Sequence, residues 1–384
     1  MEQSLLVYYG EICLKGGNRP LFEKKLLQNI KDIIKYNLNQ SIKVIEKSYG
    51  YIIIKSDNLE IVADVLKTIP GITNLLLAYD LEDIKDSKKY IDHITSSWGK
   101  GKSFKVSTKR HNKQYPMKSI EISKYIGDIV DDSFPVKMKN PDYVIDVAIS
   151  EKSCYIGREI KAVGGLPIGI TGNALCLLSG GIDSPVASYL IMKRGMKITY
   201  VHFQNKTIMK HAVKDKIEKL VKQLAKYQGK TRLIIVPFEE IQKQIISFIE
   251  PKHRMLMYRR YMFRLASLIA DQNKIKTLVT GDNLAQVASQ TETNLISIYS
   301  VVPRDKLILS PLIGYNKVDV IALSRILGLY DISKQPYEDC CSLMIAKNPA
   351  TKSNTKTLDK FDSKLEFDDE KLMNIIEKSE ILDF

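Results

Sequence analysis

Ala174-Leu175-Cys176-Leu177-Leu178-Ser179-Gly180-Gly181-Ile182-Asp183-Ser184-Pro185 is the stretch whose reading decides the fold. Residues 174–178 form an uninterrupted apolar run, as a parallel strand buried on both faces requires. Two glycines then allow a sharp turn and a close backbone approach to a ligand. Ser184 is a candidate N-cap and Pro185 suits the first helical position. A helix is predicted over 185–193, ending at Gly195. Strand, glycine turn and helix together present a nest of N–H groups at a helix N-terminus, which is an anion site. The spacing is neither G-x-x-x-x-G-K-[ST] nor G-x-G-x-x-G, which argues against γ-phosphate transfer and against a dinucleotide. The plain alternative is an ordinary glycine turn between strand and helix.

Working downstream, further strands are predicted at 198–203, 233–238 and 278–280. Amphipathic segments separate them, as in Val213, Ile217, Leu220, Val221 and Leu224. Strand–helix alternation of this kind predicts a doubly wound parallel sheet with ligands at the carboxyl ends of its strands. Upstream, residues 163–172 are rich in glycine around Pro167 and read as a linker. Before it lie strand 5–9, helix 22–36, strands 42–48 and 51–55, helix 59–67 and strand 72–79. This is the βαββαβ order of a ferredoxin-like domain. A second small α/β unit follows, with strand 104–108, helix 117–130 and strand 143–149.

A length of 384 residues suits two or three such domains. Hydrophobic residues at 44% and charged residues at 27% exclude disordered and collagenous classes. The net charge of +14 points to a polyanionic partner. Three basic windows stand out. Residues 99–124 hold eight Lys and Arg against Glu121 alone, and 204–232 hold nine against Asp215 and Glu218. Residues 252–264 hold five with no acid and with Tyr258 and Tyr261 interleaved. Any one window can be a solvated helix face, but three together favour a phosphate backbone. The segment 359–384 is acidic instead and reads as a peripheral helix or tail. No apolar run reaches the ~18 residues of a membrane helix, and Glu2 and Glu11 do not suit a signal peptide.

Five cysteines is an odd, sparse set that predicts a reducing, cytoplasmic setting without a disulfide framework. Cys13, Cys154 and Cys176 fall in apolar or strand settings and read as inert core thiols. Cys340 and Cys341 lie in a predicted loop between Pro336 and Pro349. Glu338 and Asp339 would raise a thiol there, so a nearby cation is needed for a thiolate. A loop cysteine pair without a role is the bland alternative.

The S-G-G-x-D-S loop is the pyrophosphatase-type (PP-loop) motif of enzymes that split ATP between its α and β phosphates. The flanking sequence resembles the tRNA 4-thiouridine synthetases, the ThiI family. The resemblance is carried by Gly157-Arg158-Glu159-Ile160, Ala162-Val163-Gly164-Gly165-Leu166-Pro167 and Lys193-Arg194-Gly195. Arg259-Arg260, the run from Thr280 to Thr291, and Glu338-Asp339-Cys340-Cys341 continue it. Near the start, Gly10-Glu11-Ile12-Cys13-Leu14-Lys15-Gly16 and Asn18-Arg19 also match. It covers almost the whole chain apart from the tail after Pro349.

The resemblance implies a ferredoxin-like N-terminal domain (1–75), a THUMP RNA-binding domain (76–168) and a PP-loop adenylation and sulfurtransferase domain (169–384). It implies that ATP, with Mg²⁺, adenylates O4 of uridine 8 in tRNA. A cysteine persulfide then replaces the activated oxygen, giving 4-thiouridine, AMP and pyrophosphate. Asp183 takes the role of the loop acid, Lys317 that of a lysine 23 residues before the sulfur-carrying cysteine, and Cys340 that of the cysteine itself. A surface lysine at a helix start is the plainer reading of Lys317. The ATP contacts carry over to Leu177, Leu178, Ser179, Gly180, Gly181, Asp183, Ser184, His202, Phe203, Arg259, Gly281 and Gln290. Lys105, Lys109 and Arg110 of the first basic window are the candidates for RNA binding. No protein metal-ligand set is read. Implied partners are tRNA and a cysteine desulfurase as persulfide donor, with a homodimer left open and no membrane.

Several positions depart from the family pattern. Gln204-Asn205-Lys206 stands where Ser-Pro-Pro is usual, Thr280-Gly281-Asp282-Asn283 replaces Thr-Gly-Glu-Ser, and Ser310 stands where an Arg-Pro-Leu is common. Without a rhodanese domain, sulfur is expected directly from the desulfurase, and supply to thiamine thiazole synthesis ranks below tRNA modification. The alternatives are another PP-loop tRNA-adenylating enzyme, such as a 2-thiouridine or lysidine synthetase, and an RNA-binding protein with an inactive ATP loop. The absence of Cys-x-x-Cys weighs against the 2-thiocytidine type.

Overall fold

Short apolar runs such as Leu5–Val7, Tyr51–Ile54 and Leu75–Ala78 build a seven-stranded sheet from the first part of the chain. In this computed structural model, residues 1–205, 211–336, 346 and 348–384 are described. The elements of the first unit are β1 (Gln3–Tyr8), α1 (Arg19–Leu38), β2 (Lys43–Ser48), β3 (Tyr51–Lys55), α2 (Leu59–Leu66) and β4 (Asn74–Leu81). They continue as α3 (Lys88–Thr95), β5 (Phe104–Arg110), α4 (Ser119–Ile129), β6 (Tyr143–Ile149) and β7 (Cys154–Lys161). The sheet order is β2-β3-β1-β4-β7-β6-β5. Its first four strands have the ferredoxin-like arrangement, with β1 antiparallel to both β3 and β4. Leu26, Ile30, Ile33 and Ile34 of α1 recur at helical spacing and pack on Leu5, Val7, Ile52 and Ile54. Residue 75 lies within β4, which pairs with β1 on one side and along its whole length with β7 on the other. The sheet is therefore continuous across that point. Gly157 makes the seam tight, since a Cβ there would stand 2.0 Å from the Leu77 carbonyl oxygen.

Two compact units are separated at Met1–Pro167 and Ile168–Phe384. The second begins with β8 (Asn173–Leu177), α5 (Asp183–Lys193), β9 (Lys197–Gln204), α6 (His211–Gln228) and β10 (Arg232–Pro237). It continues with α7 (Glu239–Phe248), α8 (Pro251–Gln272), β11 (Thr277–Val279), α9 (Glu292–Tyr299), β12 (Leu307–Leu309), α10 (Lys317–Ile326) and α11 (Tyr330–Ser333). Then come α12 (Thr355–Asp362), α13 (Asp369–Glu377) and β13 (Glu380–Asp383). The order β12-β11-β8-β9-β10-β13 is parallel except for β13. Leu175, Val201, Ile234 and Leu278 face the layer containing α8 and α13, while Ala174, Cys176, Tyr200 and Val279 face α5 and α6. Helices on both faces make this the expected doubly wound sheet. The chain winds outward from β8 to β10 and then crosses to β11, so a crevice opens at the carboxyl ends of β8 and β11.

Two expectations about charge are corrected. The acidic segment after 359 is no peripheral tail. Leu365, Phe367, Leu372, Ile375 and Ile376 enter the core, and β13 closes the sheet edge through Arg232↔Asp383 to Ile235↔Glu380. The window 252–264 is no exposed basic stripe, because Tyr258 and Tyr261 are fully buried. Arg260, 2% exposed, pairs with Asp359 and Asp362 at 2.7 and 2.6 Å. Arg264 reaches Asp369 at 3.5 Å, and Arg254 donates to the carbonyls of Ile249 and Ile246. The basic helix and the acidic segment neutralise one another.

Candidate active site

The glycine loop follows β8 directly. Helix α5 starts at Asp183, two residues earlier than expected, so the N-cap position falls on Ile182 and Ser184 lies inside the helix. Its hydroxyl instead accepts from the Ser179 N–H at 2.9 Å and lies 3.0 Å from the Ser179 hydroxyl, which fixes the loop. Ser179 Oγ accepts in turn from the Gly181 N–H at 3.3 Å. Gly281, just beyond β11, lets that strand end abut the loop, since a Cβ there would stand 2.6 Å from Ser184 N. Only a glycine permits this approach.

Asp183 is held from two sides. Lys317 Nζ, at the first position of α10, donates to both of its oxygens at 2.7 and 2.8 Å. Gln286 Nε2 donates at 3.0 Å. Lys317 is thus both a helix-start lysine and a partner of the loop acid. Gln286 was not singled out by the sequence reading, although it lies in the run after Thr280.

Leu177, Leu178, Ser179, Asp183, Ser184, His202, Phe203, Arg259, Gly281 and Gln290 line a single cavity of about 290 Å³. Gly180 and Gly181 belong to the adjoining loop. The chain brings these residues together from β8, β9, α8 and the turn after β11. His202 Nδ1 hydrogen-bonds the Leu178 carbonyl at 2.9 Å. Beneath Arg259 lies Asp282, 3% exposed. Its oxygens accept from Arg259 Nη2 at 2.6 and 2.5 Å, Gln290 Nε2 at 3.0 Å, Thr280 Oγ1 at 2.8 Å and Tyr299 Oη at 2.5 Å. Burial raises the Asp282 carboxyl, but the Arg259 charge and these hydrogen bonds outweigh it and hold the group below its ordinary value. Burial, with Asp282 adjacent, drives the Tyr299 phenol upward, so it stays a donor.

The three expected RNA contacts separate by environment. Lys109 pairs with Glu159 and lies 5.0 Å from the Tyr8 ring centre. Arg110 Nη1 donates to the Met117 and Tyr115 carbonyls at 2.9 and 3.4 Å, bracing the approach to α4. Lys105 forms no ion pair among the described residues, and neither do the exposed Lys113, Lys118 and Lys124 of the same window. In the window on α6, Lys216 is buried and donates to the Ser333 and Gln335 carbonyls at 2.7 and 2.8 Å. Burial raises the Cys13, Cys154 and Cys176 thiols; Cys154 and Cys176 are core positions, whereas Cys13 is half-buried. Cys340 and Cys341, with Glu338 and Asp339, lie outside the described residues. No described helix is long and apolar enough to cross a membrane.

A parallel sheet with a glycine loop at its switch point and one cavity above it defines an α/β nucleotide-binding protein of the pyrophosphatase-loop class. Residues 169–367 match the family described as Thiamine biosynthesis protein (ThiI), 78–159 match the THUMP domain and 4–75 the ThiI ferredoxin-like domain. The chain belongs to the ThiI family. A "Probable tRNA sulfurtransferase" of Clostridium kluyveri is 37% identical over 375 residues, covering 96% of each chain. Another, of Moorella thermoacetica, is 40% identical over 361 residues, 92% of this chain and 90% of its own. Among solved structures, a 4-thiouridine synthetase in complex with RNA and bound ATP superposes with a TM-score of 0.87 at 32% identity, covering 100% of both chains. PH1313 from Pyrococcus horikoshii, at 23% identity and a TM-score of 0.66 over 85% of this chain and all of its own, shares the fold.

Proposed function

We propose that this protein is an ATP-dependent tRNA sulfurtransferase that converts uridine 8 into 4-thiouridine. The observation that carries this reading is the cavity. Ten of the twelve residues expected at ATP line it, at the crevice where doubly wound sheets bind ligands. The relatives' names and the ATP- and RNA-bound neighbour support the same chemistry.

In this reading the loop N–H groups take the phosphates at the start of α5. O4 of the uridine attacks the α-phosphate and pyrophosphate leaves. Lys317 then lies where charge grows on the departing phosphates, and Asp183 orients Lys317 and the loop. The terminal sulfur of a Cys340 persulfide attacks the adenylated carbon and AMP departs. A thiol reductant then cleaves the remaining S–S bond, freeing 4-thiouridine and leaving a disulfide on Cys340 that a second thiol reduces. A cysteine desulfurase supplies that persulfide, and Cys341 is accessory. Among the described residues no three His, Cys, Asp or Glu side chains converge as a metal site. Asp183 alone nevertheless suits Mg²⁺, which binds through few carboxylates plus substrate phosphates and water. When bound, the ion would offset phosphate charge.

The first unit would hold tRNA by its shape and phosphates, with Lys105 the most available of the three candidates. The domain limits at 75 and 168, a cytoplasmic setting, a homodimer and a lesser contribution to thiamine thiazole belong to the same proposal. The test combines pyrophosphate release from ATP with bulk tRNA and mass analysis of the tRNA nucleosides, with desulfurase, cysteine and reductant present. Asp183→Ala should abolish both signals while tRNA binding persists. Pyrophosphate release without 4-thiouridine would instead favour a different adenylating enzyme.

A further inference from the structure

Arg259 and Gln290 come from different parts of the chain, on α8 and in the turn before α9. Both end on one carboxylate that the nucleotide reading leaves without a role. Asp282 accepts from Arg259, Gln290, Thr280 and Tyr299 at 2.5 to 3.0 Å. These contacts occupy the lone-pair directions of a buried carboxylate, so it has no capacity left for a ligand. Tyr299 is itself fixed, 3.2 Å from the Ser310 hydroxyl and edge-on to Phe263 at 5.1 Å between ring centres.

We propose that Asp282 is a positioning residue for the nucleotide, acting through Arg259 and Gln290. It does two things. It fixes the rotamers of two long side chains that would otherwise lose several torsions on binding ATP. It also cancels the Arg259 charge locally, so attraction of the phosphates falls mainly to the loop N–H groups. Arg259 therefore supplies fixed donors rather than net positive field. The same buried carboxylate ties the end of β11, where Gly281 abuts the loop, to the wall of the cavity.

This inference rests on the proposed nucleotide site, and the experiment separates the two. ATP binding by the full chain is measured by calorimetry, alongside kcat and KM for tRNA-dependent pyrophosphate release. Absence of ATP binding by the parent would refute the nucleotide site itself. If the parent binds, Asp282→Asn should raise the Kd and KM for ATP about tenfold or more, equivalent to about 1.4 kcal/mol. The kcat at saturating ATP should stay within about twofold, and tRNA affinity should not change. Asp282→Glu, which keeps the charge, should recover most of the affinity. Arg259→Gln combined with Asp282→Asn should weaken ATP binding by less than the product of the single effects. If Asp282→Asn does not fold, Tyr299→Phe, which keeps the ion pair, should still raise KM about threefold by freeing the carboxylate. An Asp282→Asn Kd within about twofold of the parent would overturn the proposal. So would a fall in kcat at unchanged KM, multiplicative effects in the double variant, or an unchanged KM in Tyr299→Phe where the first variant fails to fold.

Discussion

Lys317→Ala separates what an ion pair does for the fold from what it does for the reaction. It removes an ammonium 2.7 and 2.8 Å from the Asp183 oxygens. The two side chains are 43% and 21% exposed, so solvent screening limits the pair to about 1 kcal/mol or less of stability. For a unit of about 200 residues that is a melting shift of roughly 2–4 °C at most. Gln286 still holds Asp183 at 3.0 Å, so the loop keeps its acid in place. Adenylation concentrates negative charge on the leaving pyrophosphate, and loss of one fixed donor at such a point costs about 100- to 1,000-fold in kcat. The assay is pyrophosphate release with tRNA at saturating ATP, run beside thermal melting. A kcat within about fivefold of the parent would refute the placing of Lys317 at the phosphates. A melting loss above about 10 °C would show instead that the pair holds the fold.

Four further outcomes are expected. Neutralising Lys105, Lys113 and Lys124 should flatten the log–log salt dependence of tRNA binding by roughly one unit per lost phosphate contact. Changing Lys109 and Arg110, which are committed to Glu159 and to carbonyls, should lower stability more than the salt slope, as filter binding across a salt series would show. Cys340→Ser should abolish 4-thiouridine formation with desulfurase, cysteine and reductant, while Cys341→Ser retains activity. Peptide mass analysis should place the persulfide on Cys340, and a persulfide found on Cys341 alone would reverse the assignment. Arg260→Leu should destabilise the second unit by about 3 kcal/mol, since it strands half-buried Asp362 and the Ser297 carbonyl. Thermal melting reads that loss, and a shift under about 2 °C would contradict it.

The parts of the fold that repeat a period were legible. The apolar run 174–178, the helix after it and the βαββαβ alternation each announce themselves within a dozen residues. Strand β7 did not, because Gly157, Arg158 and Glu159 interrupt its apolar pattern. Pairing with β4 supplies what local propensity lacks. Four-residue β13 is too short and acidic to signal a strand, and its partner lies 151 positions away. The residues proposed to hold the nucleotide were read from a motif and a family resemblance, whereas Asp282, Gln286 and Tyr299 matter only through contacts that span several elements. Asp282 lies 23 positions from Arg259 and Gln286 lies 103 from Asp183, distances over which a single sequence carries no pairing signal. The charge window 252–264 misled for the same reason, since counting its Lys and Arg cannot show that their counter-ions arrive about a hundred positions later.

That separation sets an order of events on the ribosome. Arg260 is synthesised 99 and 102 residues before Asp359 and Asp362, and β10 leaves the ribosome well before the strand that covers its edge. Until then the nascent second unit carries an uncompensated cation at its centre and an open parallel-sheet margin. Such a margin is a template for pairing with another chain. The glycine loop and the five parallel strands can thus be complete in sequence while the sheet still lacks its closing strand. Premature termination between α10 and α12 would release a chain that contains every residue lining the cavity above the glycine loop and is nonetheless prone to aggregate.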